Sequence, residues 1–114
     1  GVRAVFIIDS GATISLIPRG DADLLGIRFS TGKKSIVRGA GDSTFIGYVH
    51  SLRVRLAGQI FRAPFIVAER LDVPHILGRD GIFSHFGILL HEAGRRTAFL
   101  DTTTDKKAID SVFS

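Results

Sequence analysis

Short runs of alternating or continuous apolar residues, separated by glycine and polar breaks, dominate the chain. Val2 to Ile8 is rich in β-branched and aromatic residues and predicts a strand that ends at the polar turn Asp9-Ser10-Gly11. Ile14 to Ile17 predicts a second short strand, stopped by Pro18. Asp21 to Gly26 reads as one helical turn, with Asp21 as cap and Gly26 as stop. Ser35 to Arg38 and Thr44 to Val49 flank Gly39-Ala40-Gly41-Asp42, the pattern of a hairpin with a glycine-rich tip. Leu52, Val54 and Leu56 alternate with Arg53 and Arg55, a period of two. The turn Ala57-Gly58-Gln59 leads into a strand from Ile60 to Ala68, where Pro64 predicts an edge position or a bulge. His75 to Leu77 is a short buried strand closed by Gly78. Arg79 to Phe86 predicts a helix, with Ile82, Phe83 and Phe86 on one side and Gly87 as terminator. A last hairpin joins Ile88–His91 to Thr97–Leu100 across Ala93-Gly94. From Asp101 to Ser114 the chain is polar, with Ile109, Val112 and Phe113 as weak anchors.

At 114 residues, 45% of them apolar, the chain has the material for one modest core. No apolar run approaches the roughly 20 residues of a membrane-spanning helix, and Gly1 to Ala4 shows no charged-then-apolar leader. Cysteine is absent, which excludes disulfides, thiolate metal sites and cysteine nucleophiles. The net charge is +4, and eleven of the fifteen cations are arginines scattered along the sequence. Scattered arginines, one Tyr and no Trp fit a solvated surface better than a nucleic-acid interface. His91-Glu92 begins like a zinc-protease motif, but position 95 is Arg and the second histidine is missing. The four histidines show no metal-ligand spacing, so neither a metal nor another cofactor is expected.

The chemistry points to Phe6-Ile7-Ile8-Asp9-Ser10-Gly11-Ala12-Thr13. Here an apolar strand delivers one carboxylate onto a Ser-Gly turn. Taken alone this is a common turn. It is followed by the glycine-tipped hairpin and then by Ile76-Leu77-Gly78-Arg79. Over Val2 to Leu100 that order of motifs resembles the retropepsin-like aspartic proteases, the single-domain enzymes of retroviruses and retrotransposons and their cellular and bacterial relatives. The resemblance implies a mostly β fold, a closed acid-protease barrel with one short C-terminal helix, over residues 1–100. It implies that Asp9 is the catalytic carboxylate and that Ser10, Gly11 and Ala12 form its loop. Gly39, Ala40 and Gly41 would be the flap tip, and Gly78 and Arg79 would support the loop from beneath. Ile36, Val37, Phe45 and Ile46 are candidates for contact with apolar substrate residues.

This chemistry needs two carboxylates, one protonated and one ionised, because two like charges at close range cannot both ionise. The chain has one Asp-Ser-Gly, so the resemblance implies a symmetric homodimer that hydrolyses polypeptide substrates with one Asp9 from each subunit. Residues 101–114 would be a tail available to the dimer interface. One feature departs from the viral pattern. Position 13, often acidic there, is Thr, so Arg79 must find another partner, with Asp21 and Asp80 as candidates. A reading from another class is a non-catalytic binding or dimerisation module on the same fold.

Overall fold

The computed structural model describes residues 1–39 and 43–113. Its main body is a six-stranded sheet. In chain order the strands are β1 (Ile7–Ile8), β2 (Ser15–Ile17), β3 (Lys33–Arg38), β4 (Thr44–Leu56), β5 (Gln59–Ala68) and β6 (Ile76–Leu77), and across the sheet they run β1-β6-β2-β5-β4-β3. A separate two-stranded ribbon pairs β7 (Phe86–His91) with β8 (Arg96–Asp101). The helices are α1 (Arg19–Leu25) and α2 (Lys106–Phe113).

The mostly β expectation holds, but the expected closed barrel does not form among the described residues. The six-stranded sheet stays open, with β1 and β3 as its two edges. The first strand is also shorter than Val2 to Ile8. Burial alternates along that whole stretch, yet only Ile7 and Ile8 pair, in parallel with Ile76 and Leu77. The partner sets this limit, because β6 is bounded by Pro74 on one side and by Gly78 on the other.

The predicted helix over Arg79 to Phe86 is instead a series of turns. The N–H groups of Ile82 and Phe83 both donate to the carbonyl of Arg79, but Gly81 sits at φ +72°, outside the helical region. The apolar residues of that stretch still face inward: Ile82 is fully buried and Phe86 nearly so. Phe86 opens β7, and Gly87 lies within that strand rather than ending a helix.

Pro64 departs from expectation in a different way. Its strand is central and its register with β4 is continuous, so Pro64 marks neither a sheet edge nor a bulge. Glu69 donates its N–H to Ile46, which makes 46/69 a hydrogen-bonded pair and 51/64 a non-hydrogen-bonded one. The N–H that proline lacks would therefore point away from β4. On that side β2 begins pairing only at Phe65, so no ladder bond is lost.

The core lies against β2 and β5, where Ile17, Ala22, Ala63, Phe65, Val67, Leu77 and Ile82 cluster. The β4–β5 turn uses positive φ at Ala57 and Gly58, the geometry that suits the twist of a tight hairpin. Gly26 ends α1 in the left-handed region, as expected, and its N–H meets the carbonyls of Ala22 and Asp23. The segment from Asp101 onward is more ordered than its polarity suggested. Asp101 Oδ1 accepts the N–H groups of Thr103 and Thr104, at 2.7 and 2.8 Å, while Asp105 Oδ2 accepts the N–H of Asp101. Gln59 also donates to Asp101, tying the β4–β5 turn to this junction. No helix among the described residues is long and apolar enough to cross a membrane.

The Thr104 and Thr103 N–H groups hold the Asp101 carboxyl below the usual carboxylate range. The folded chain thus binds this proton more weakly than the unfolded chain. The resulting stabilisation is present above the ordinary Asp value and is lost as pH falls through the lower folded one. We expect the parent to lose more thermal stability than Asp101→Asn between about pH 6 and about pH 3. Melting curves followed by circular dichroism at both pH values check this, and equal losses would exclude the assignment.

Candidate active site

The Asp9 loop is built by backbone bonds to the chain that crosses beneath it. Asp9 donates its N–H to Leu77 at 3.0 Å, continuing the parallel β1–β6 pairing by one step. The loop then closes on itself through Ala12 N–H to the Asp9 carbonyl at 3.1 Å. Beyond the loop, Arg79 donates to Ala12 at 2.9 Å and Asp80 to Thr13 at 2.8 Å. Gly78 lies between these contacts. A Cβ there would sit 2.6 Å from the carbonyl carbon of Ile14 and 2.8 Å from its oxygen, with the Ala12 oxygen at 3.0 Å. All three are backbone atoms that cannot rotate away, so only glycine allows this approach.

Ser15 completes the crossing. Its side chain is fully buried, and its hydroxyl oxygen accepts the Gly78 N–H at 2.9 Å. Reading Ile14 to Ile17 as one apolar run passed over it. A single hydroxyl inside such a run was the available signal, since a buried hydroxyl requires a partner.

The loop presents its carboxylate outward. Asp9, Ser10 and Gly11 are exposed, and Asp9 Oδ1 accepts the Gly11 N–H at 2.9 Å. That bond orients the carboxylate over the turn. Within the single chain, a cavity of about 300 Å³ lined by Phe6, Ile17, Leu25, Leu52, Val54 and Phe65 does not include Asp9. Among the described residues no three His, Asp or Glu side chains come together as a metal site.

Arg79 contributes its backbone N–H, and its side chain is exposed. Neither acid proposed as its partner forms an ion pair with it among the described residues. Asp21 does not cap α1, which starts at Arg19 with Pro18 in extended geometry before it. It instead meets His75 Nε2 at 2.6 Å, with both side chains largely buried. The Phe6 ring stands edge-on to His75, so the pair links α1 to the strand entering the crossing.

At the β3–β4 hairpin, Gly39 donates its N–H to Ser43 at 2.8 Å, beyond the last ladder pair Arg38–Thr44. Ala40 and Gly41 lie outside the described residues. Near the tip end of this hairpin, Arg70 grips Asp72 with two bonds of 2.8 and 2.7 Å and lies 5.9 Å from the centre of the Phe45 ring. The Arg70 bond holds the Asp72 carboxyl below its usual range. The loop after β5 is thereby joined to the start of β4.

Residues 1–81 match the model of the aspartyl protease family. The chain belongs to the retropepsin-like aspartyl proteases. It is 28% identical over 114 residues to DNA damage-inducible protein 1 of Chaetomium globosum, which covers 98% of this chain and 23% of that protein. The protein of the same name from Phaeosphaeria nodorum is 29% identical over 82 residues, covering 70% of this chain and 19% of the relative. The chain thus spans less than a quarter of the length of these relatives. No solved structure matches.

Gly78→Ala should destabilise the fold by about 1–3 kcal/mol through overpacking. Ser15→Ala should cost about 1–3 kcal/mol by leaving the Gly78 N–H without its partner. Gly20→Ala is the control. It lies inside α1, where a Cβ makes ordinary contact with Leu71 at 3.8 Å, and it should be neutral or stabilising. Urea unfolding of the three variants checks the order, and a Gly78→Ala chain as stable as the parent would contradict the close crossing.

Proposed function

We propose that this chain is an aspartic endopeptidase whose catalytic centre forms between two copies, each contributing Asp9. The reading rests chiefly on one observation. A single outward-facing carboxylate sits on a loop whose backbone is fixed from below and whose side chain is oriented by Gly11. Membership of the aspartyl protease family supports peptide hydrolysis as the reaction class. Preorganised carboxylates are what the chemistry requires, because the two groups must face each other and hold one proton between them. The ionised member takes a proton from water as the water attacks the peptide carbonyl. The protonated member gives its proton to the developing oxyanion. As the C–N bond breaks, the carboxyl that took the proton from water passes it to the leaving nitrogen, while the other carboxylate takes one back from a gem-diol hydroxyl.

The edge strand β3 suits the substrate's role. Its side away from β4 has no strand partner among the described residues, and Ile36 on it is 69% exposed. An extended peptide can add there by main-chain hydrogen bonds. Ile36, Phe45 and Ile46 border a concavity beside it, together with Glu69 and Arg70. Gly39, Ala40 and Gly41 take the role of the flap tip in this reading.

Asp9→Asn should fold normally, yet lose activity by more than the about 10²–10⁴-fold of a single acid/base group, since both copies are altered at once. Activity of the parent should also fall faster than linearly on dilution through the dimer dissociation constant, so that activity per chain drops. Peptide-cleavage assays with light scattering check both. Cleavage by Asp9→Asn at the parental rate, or an active monomer, would overturn the proposal.

A further inference from the structure

The outer face of the β3–β4–β5 sheet carries positive charge and no acid. Paired residues share a face, so the register puts Lys33, Arg53, Arg55 and Arg62 on the same side, and all four are exposed. None of the other strand residues on that side is Asp or Glu. Arg53 stands directly across from Arg62. The 46/69 hydrogen bond fixes the alternation, which makes 53/62 a non-hydrogen-bonded pair, the kind in which side chains come closest. Like charges in that position disfavour strand pairing. Arg62 is drawn toward Ser51, with Nη2 donating to the Ser51 carbonyl at 2.8 Å and Nε to its hydroxyl at 3.2 Å. Arg53 and Arg55 form no ion pair among the described residues.

We propose that this stripe is a docking surface for an extended acidic peptide segment with carboxylates at alternate positions. Side chains two apart on a strand repeat at about 6.5–7 Å, and an extended peptide has the same repeat. Carboxylates at i and i+2 therefore meet Arg53 and Arg55 together, while a neighbouring acid meets Arg62. The planar guanidinium forks suit bidentate pairing with carboxylates. A single-stranded nucleic acid would also want aromatic platforms for its bases. The nearest apolar residues on this part of the face are Ile60 and Pro64, and Phe45 lies about 27 Å away along β4. The surface operates whether or not Asp9 performs catalysis.

The test is fluorescence anisotropy at low salt on the Asp9→Asn chain, with a labelled twelve-residue peptide of alternating Glu and Ser. Saturable binding should weaken with added salt. Arg53→Gln/Arg55→Gln should weaken it about tenfold. The double variant Lys106→Gln/Lys107→Gln on α2 removes the same net charge and should leave binding within about twofold of the parent, because those residues lie outside the stripe. Arg53→Glu/Arg55→Glu should instead bind a peptide of alternating Lys and Ser. Circular dichroism confirms that each variant folds. Absent binding, equal losses in the two glutamine variants, or tighter binding of a twelve-residue oligothymidylate than of the acidic peptide would each overturn the proposal.

Discussion

The close crossing of two backbones at Gly78 is the constraint on which the rest of the structure depends. The chain leaving β6 passes against Ala12 to Ile14 with no room for a side chain. Four hydrogen bonds fix it there: Asp9 to Leu77, Gly78 to the Ser15 hydroxyl, Arg79 to Ala12 and Asp80 to Thr13. The Asp9 loop is therefore held by backbone, which leaves its own carboxylate uncommitted apart from the Gly11 contact. The same crossing sets the neighbouring elements. β6 can pair with β1 on one side and β2 on the other only because its exit is this tight, and the turn at Gly81 then sends Ile82 into the core.

The elements legible in the sequence were those whose signal is local. Alternation at Leu52 to Leu56, the Ala57-Gly58 turn, the stop at Gly26 and the last hairpin each depend on residues close in the chain, and each is present. What escaped the sequence depends on distant partners. The length of β1 is set by Pro74 and Gly78, nearly seventy residues away. The apolar spacing of Ile82, Phe83 and Phe86 satisfies burial equally well as turns leading into a strand, and the backbone at Gly81 decides between them. Pro64 is tolerated centrally because β2 is short, a fact about a different strand.

The site shows the same division. Asp9-Ser10-Gly11 and Gly78 stood out because a turn residue and a missing side chain are visible in one dimension. Ser15 and the Asp21–His75 pair did not, because their partners come from 63 and 54 positions away. Asp21 also had a plausible local role as a helix cap, and the burial it shares with His75 overrode it.

The central claim is that one catalytic centre needs an Asp9 from each of two copies. A mixing experiment tests it most directly. Asp9→Asn chains are added to a fixed amount of the parent, at concentrations above the dimer dissociation constant and with time for subunits to exchange. Mixed dimers hold a single Asp9, so activity per parent chain should fall to about half at equal amounts and continue falling with excess variant. Activity that stays constant as the variant is added would contradict the account.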